Sequence, residues 1–309
     1  MGAVRYNIAL VVANILFGVS FSVYVSLLQG TILPSQLFVM QLLFSTLIFA
    51  PAALFNRRLY TLTLNDFGSI FIVALLVIFG WWYLLLSGAA HTNPIDASTI
   101  ATIGPIFTLI TSVILHSRQA RRGEKIGILT ALLGVGALLF DRGYRLVGEA
   151  GEGYGNALIL CAVVAIAVNT VLIAPVLRRH GTAVVMGLYY IIGTILALPL
   201  IIEIVPTLPQ LRLTQAESAE TAYILLFGST LPMYLLYVGS EHLTATHTAI
   251  YRYIQPIVAT ILAVARGQSA IDRTNIIGAV LIFSGMLATI LSMPRSERTA
   301  PSTDSPTRG

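Results

Sequence analysis

The sequence predicts an all-α integral membrane protein of ten transmembrane helices, arranged as two inverted five-helix repeats. Three observations carry that prediction. First, 56% of the 309 residues are hydrophobic and only 10% are charged, with mean hydropathy +0.85. A soluble domain needs about 25% charged residues to cover a water-facing surface. Second, the apolar residues gather in blocks near the roughly 20 residues that one bilayer crossing takes. Third, the stretch from Tyr83 to Leu139 occurs twice. Moved forward by 151 positions, Tyr83, Leu84 and Leu85 fall on Tyr234, Leu235 and Leu236. Gly88 and His91 fall on Gly239 and His242, Pro105-Ile106 on Pro256-Ile257, and Gly127 and Gly134 on Gly278 and Gly285. Two greasy segments aligned by chance would not share their Gly, Pro and His. Repetition at this length marks two structural units.

In order, the expected spans are 6–28, 34–55, 67–90, 95–116, 124–140, 155–176, 183–204, 220–240, 244–264 and 274–293. Turn and charge signals separate them: Gly30 and Pro34, Arg57-Arg58, Asn93-Pro94, Arg121-Arg122-Gly123, and Asp141 to Gly155. Arg178 to Gly181, Pro206 to Glu220 and Asp272-Arg273 mark the later breaks. Residues 1–140 form the first five-helix unit, 141–154 a linker, 155–293 the second unit, and 294–309 a polar tail rich in Ser, Thr and Pro with the composition of disorder. Arg5 followed by apolar sequence superficially resembles a signal peptide. The segment has the length of a membrane helix and no small-residue cleavage site, so a retained first span is expected.

Lys and Arg set the orientation. With the N-terminus inside, twelve of the 18 basic residues lie on the inner side, among them Arg57, Arg58, Arg121, Arg122, Arg178 and Arg179. Five lie outside, and Arg252 falls within a span. Both termini are therefore expected in the cytoplasm, at the cell membrane. Five spans separate the two copies, an odd number, so they enter the bilayer in opposite senses. Inverted repeats of this kind build transporters with the substrate near the midplane.

The net charge of +5 does not point to nucleic acid, because no polar domain gathers the basic residues into a binding face. Cys161 sits in an apolar span and is expected to pack there, since a free Cys is commonly buried. Gly151, Gly153 and Gly155 lie among acidic neighbours and read as linker rather than as a phosphate cradle. No Walker sequence, Cys-x-x-Cys or His-Glu-x-x-His occurs, so no cofactor, metal or catalytic centre is expected.

Ten spans in a five-plus-five repeat, a Pro midway along spans four and nine, Gly18 and Ser20-Phe21 in span one, and the openings Ile126-Gly127 and Ile277-Gly278 together resemble the drug/metabolite transporter superfamily, its EamA-type branch above all. The resemblance covers residues 6–293. Phe17 stands where the family often has Trp, and Ser117-Arg118-Gln119 and Gly267-Gln268 stand where it often has a Gly-Glu pair. The resemblance implies alternating-access transport of a small metabolite, amino acid or drug-like compound.

Span nine carries the main site candidates. Thr248, Tyr251, Arg252 and Gln255 follow i, i+3, i+4, i+7 and would form one polar stripe on a continuous helix. An Arg at bilayer depth costs about 2.5–3.5 kcal/mol on the lenient insertion scale, which a cavity and an anionic ligand would offset. The alternative is that Arg252 snorkels to the headgroups or pairs with a buried carboxylate. Its repeat counterpart is Ala101, so the charge belongs to one half alone. Asp96, Ser98, Thr99 and Thr102 open span four. Asp96, with His247, is a candidate for proton exchange, although Asn93-Pro94 before it also reads as an ordinary helix cap.

Trp81, Trp82 and Tyr83 lie too deep for the interfacial aromatic belt, and with Tyr234 they are candidates to stack on substrate. Tyr189-Tyr190 reads the same way more weakly. Asn14 and Asn169 are single polar residues in spans one and six that bond either substrate or a neighbouring helix. Gly127/Gly134 and Gly278/Gly285, each seven apart, favour close helix approach. The expected partners are a small-molecule substrate and the lipid bilayer, with no nucleic acid, and a homodimer stays open. A non-transporting membrane sensor and, less favoured, an intramembrane enzyme using Asp96 and His247 are the rival readings.

Overall fold

In the computed structural model the described residues are 2–101, 103–115, 121–141, 152–243, 248, 251–268 and 273–292, and those in regular structure are helical. The helices are α1 Gly2–Leu28, α2 Pro34–Leu54, α3 Leu64–Ala89, α4 Pro94–Leu115 and α5 Arg122–Asp141. They continue as α6 Glu152–His180, α7 Thr182–Leu196 with its extension Leu198–Gln210, α8 Gln215–His242, α9 Tyr251–Ala265 and α10 Arg273–Ser292. Six of them, α1, α2, α3, α4, α6 and α8, are long and apolar enough to cross a membrane. The two pieces of α7 meet at 67° and together would make a seventh crossing, while α5, α9 and α10 carry shorter apolar stretches.

Proline explains the irregularities. Pro199 follows the bend of α7 at Ala197; it has no N–H to give the carbonyl four residues back, and its ring crowds that carbonyl. Pro105 and Pro256 do the same to Ala101 and Arg252, one in each copy of the repeat. The helical segment Pro94–Ala101 stops at Ala101, and a new one starts at Gly104. Tyr251–Tyr253 is a 3-10 turn that feeds the α-helix Ile254–Ala265. Within the ninth helix expected over 244–264, Thr248 is helical and Tyr251–Tyr253 winds as 3-10 rather than α. Arg252 sits in that tighter 3-10 turn, directly before the α-helix Ile254–Ala265. Residues 244–247, 249 and 250 lie outside the described set.

Two π-helical stretches, Leu75–Tyr83 in α3 and Ile224–Thr230 in α8, also occupy comparable places in the repeat. In α8 the Ser229 and Thr230 hydroxyls bond the carbonyls of Ile224 and Leu225, at 3.0 and 2.6 Å, and so satisfy the widened turn.

Helices meet where side chains are small. α5 runs along α10. A Cβ on Gly134 would sit 2.8 Å from the Gly278 carbonyl oxygen, so that contact requires glycine. Gly155 meets Gly88 where α6 crosses α3, again at 2.7 Å to a carbonyl oxygen. Gly155 thus belongs to a helix–helix contact rather than to a linker. Cys161 corrects another expectation: it is exposed on α6. In lipid the outer face of a helix is as apolar as its packed face, so apolar surroundings in sequence do not signal burial.

Candidate functional site

At the centre, α1, α3, α6, α8 and α9 bring buried polar groups together. Arg252 is 3% exposed, and its guanidinium lies 6.0 Å over the Trp81 ring. Gly104 faces the same side chain. An added Cβ there would stand 3.5 Å from Arg252 Cδ, in ordinary contact, so α4 packs directly on the arginine stem. One turn on, Gln255 Nε2 donates to Asn14 Oδ1 at 2.6 Å, while Asn14 Nδ2 donates to the Leu10 carbonyl. Asn169 Nδ2 donates to the Tyr237 hydroxyl at 2.9 Å. Tyr237 in turn meets Tyr189 edge-on at 5.8 Å.

Several polar atoms here are buried without a hydrogen-bond partner: Arg252 Nε, Trp81 Nε1, Asn169 Oδ1 and Thr248 Oγ1. A buried orphan costs about 1–3 kcal/mol, so a cluster of them calls for water or a ligand. Arg252 also forms no ion pair with a carboxylate among the described residues. A second polar patch lies beside it, between α2, α3, α7 and α8. Gln41, Ser45, Trp82, Tyr190 and Ser229 line a cavity there with room for about one water molecule. Ser45 and Thr230 share a 2.7 Å hydrogen bond, and Gln41 Nε2 donates to the Tyr24 hydroxyl.

The expected site residues divide accordingly. Arg252, Gln255, Asn14 and Asn169 are buried in the centre, with Thr248 fully buried and Trp82 on the neighbouring cavity. Tyr251 is half-buried. Tyr83 is 37% exposed and packs edge-on against Phe38, away from the cluster. Thr99 donates to the Ile95 carbonyl and lines an apolar groove with Pro256, Ile261 and Phe283. Asp96 is fully buried between α4 and α6, where its Oδ2 accepts from Asn156 Nδ2 at 3.1 Å. Its backbone N–H donates to Asn93 Oδ1, the cap that the sequence suggested as the alternative. His247 lies outside the described residues.

Tyr234 belongs to a different space. It stacks on Phe49 at 5.9 Å and lines a vestibule of about 520 Å³ at the α1 N-terminal end. Arg5, Arg58, His180, Glu241 and His242 line the same vestibule. His242 stacks on Tyr6 at 3.9 Å. That volume falls within the range of small-molecule pockets. Sequence reasoning had placed His242, the repeat counterpart of His91, at a helix end and weighed it for proton coupling, and it did not single out His180, Glu241 or Tyr237. Among the described residues, no group of three or more His, Cys, Asp or Glu side chains could hold a metal ion.

Comparison with known proteins supplies the remaining findings. The family model described as EamA-like transporter family matches residues 4–140 and again 153–291. The uncharacterized transporter YetK of Bacillus subtilis (strain 168) is 25% identical over 241 residues, 77% of this chain and 70% of its own. The uncharacterized transporter YyaM of the same organism is 24% identical over 223 residues, 71% of this chain and 72% of its own. A crystal structure at 18% identity covers 92% of this chain and 97% of its own length with a TM-score of 0.62, a likeness of fold.

Proposed function

The chain belongs to the EamA-like transporter family, one of membrane transporters rather than enzymes, and from that premise we propose that it is a secondary transporter working by alternating access. Its ten helical segments act as ten crossings in two inverted sets of five. The substrate, a small metabolite, amino acid or drug-like compound, binds between the halves near the midplane. Two family matches of similar length, one per half, support that plan.

One observation carries the site: the Arg252 guanidinium, 3% exposed, with no carboxylate partner among the described residues and set where Pro256 breaks the helix. Irregular backbone at membrane depth is tolerated where it lines a cavity, and broken helices mark transporter binding sites. Arg252 holds a carboxylate or other anionic group of the substrate. Gln255, Tyr251 and Thr248 supply hydrogen bonds, and Trp81 and Trp82 pack on the apolar part. Asp96 and His247 are the groups through which protons would couple.

The vestibule lined by Arg5 and Arg58 lies on the side that basic residues mark as cytoplasmic. Entry there supports export from a cell membrane with both termini inside.

Purified protein is to be screened for thermal stabilisation against a small-metabolite library, beside Arg252→Ala and Arg252→Gln, with flux measured in proteoliposomes. Stabilisation by carboxylates that both variants abolish supports the assignment. Wild-type flux in both variants would remove Arg252 from the site. Binding without flux in wild type would make the chain a sensor.

A further inference from the structure

The spacing of 151 extends backwards beyond the repeat noted above. Thr63 and Asp66 fall on Thr214 and Glu217, and Gly30 and Thr31 fall on Gly181 and Thr182. The Thr–acid caps are made twice, whereas Thr31 bonds Glu217 and its counterpart Thr182 bonds Glu241.

Thr63 caps α3, and Asp66, three residues on, closes the capping box. Asp66 Oδ2 accepts from the Thr63 N–H at 3.2 Å and the Thr63 hydroxyl at 2.7 Å. Its other oxygen, Oδ1, accepts from Arg179 Nη1 at 3.0 Å, at the end of α6. His180 Nε2 stands 3.1 Å from Oδ2, within ion-pair distance but not aligned as a hydrogen bond. Thr214 and Glu217 cap α8 in the same way. Glu217 Oε2 accepts from the Thr214 N–H and hydroxyl, both at 2.8 Å. Its other oxygen, Oε1, accepts from the Thr31 hydroxyl at 2.5 Å, just beyond α1. In each copy one carboxylate oxygen caps its own helix and the other reaches into the opposite half.

The two sit at opposite ends of the molecule. Tyr6, near the start of α1, stacks on His242 at the end of α8, beside Glu241, which bonds Thr182. Thr31 lies past the other end of the 27-residue α1, roughly 40 Å away. On the first face Asp66 meets Arg179 and His180 from α6, with Arg58, Glu241 and His242 around the same turn. On the second face Glu217 meets a hydroxyl, while Arg266 pairs with Glu220 and reaches Ser22. Both carboxylate contacts are made at once, and the cavity lined by Gln41, Ser45 and Trp82 has room for about one water molecule.

We propose that Asp66 and Glu217 are repeat-related latches, one for each membrane face, and that a face opens only by breaking its own latch. The structure, with both made, is the state in which neither latch has parted. This rests on the alternating-access reading, since a non-moving receptor has no use for two opposed latches. The capping bonds stay with their helices while the cross-half bonds part, so opening does not unwind α3 or α8. The shared machinery makes the two openings competitors: weakening one latch draws population from the other.

The test uses maleimide labelling in a Cys161→Ser background. One reporter is Tyr234→Cys in the vestibule. The other is Ser22→Cys, whose native hydroxyl meets Gln268 across the second face. Asp66→Asn keeps an acceptor for Thr63 and weakens the pull on Arg179. Labelling at 234 is expected to rise and labelling at 22 to fall, with the ratio shifting about tenfold, the size of one charge-assisted hydrogen bond. Glu217→Gln is expected to move both reporters the other way. Where Asp66→Asn fails to fold, His180→Gln and Arg179→Gln, which leave the cap intact, replace it. Shifts in the same direction, or no shift in folded variants of a protein that transports, overturn the latches. Reciprocal labelling in a wild type without flux would instead overturn the transport reading and leave the latches standing.

Discussion

Gln255 donates to the side-chain oxygen of Asn14 at 2.6 Å, tying the first turn of α9 to the middle of α1 one turn from Arg252. The bond is buried at both ends. It is a direct polar link between these two helices and helps to fix where Arg252 stands relative to the first half.

Asn14→Ala should therefore destabilise the protein by about 1–3 kcal/mol, because the Gln255 amide is left buried without its acceptor. Asn14→Ala with Gln255→Leu removes both partners and should recover part of that loss. Thermal melts of the two single variants and the double variant in detergent measure it. Additive losses would mean that the pair is not coupled.

Asn169 and Tyr237 form the matching pair between α6 and α8 at 2.9 Å. Tyr237→Phe keeps the ring against Tyr189 and removes only the hydroxyl. It should cost about 1 kcal/mol in stability, and ligand stabilisation should weaken where the hydroxyl also meets substrate. A melt with and without the best library hit separates the two effects.

How much of this was legible in the sequence follows from the physics of a chain in lipid. Proline and glycine were readable, because their backbone constraints act wherever they sit. Gly134 was read as a point of close helix approach, while Pro105 and Pro256 were noted midway along spans four and nine without the breaks being drawn from them. Asn14, Asn169, Gln255 and Arg252 were readable because a polar group at bilayer depth must have a reason. Burial was not readable. Tyr83 and Trp82 are adjacent and equally apolar in their surroundings, yet one faces outward and the other the core. Cys161 failed for the same reason. The Asp66 and Glu217 boxes went unread although Thr-x-x-acid is a plain capping signal. The spacing of 151 had been followed only from Tyr83 onward, and Asp66 and Glu217 differ in residue type.

Gly18 marks a close approach of α1 and α9. A Cβ there would lie 2.7 Å from the Val258 Cβ and 2.9 Å from the Gln255 carbonyl oxygen. The obstacle is partly backbone, so it cannot rotate away. Gly18→Ala should lower stability by about 1–3 kcal/mol, and Gly18→Ala with Val258→Ala should recover only part of it. A full recovery in the melts would mean that the side chain alone set the distance.

The proline breaks allow a sharper separation of stability from function. Pro256→Ala restores an N–H that can bond the Arg252 carbonyl and removes the ring that crowds it. The 3-10 turn Tyr251–Tyr253 should then relax toward α-helix and turn the guanidinium out of its present place over Trp81. Regular helix is at least as stable as the broken one, so the melting temperature should hold or rise. Transport should fall, because the site depends on the break. Pro105→Ala should behave likewise in α4, with a smaller effect, since Ala101 carries no charge to displace. A Pro256→Ala protein with wild-type flux and an unchanged melt would mean that the break serves neither the site nor the fold.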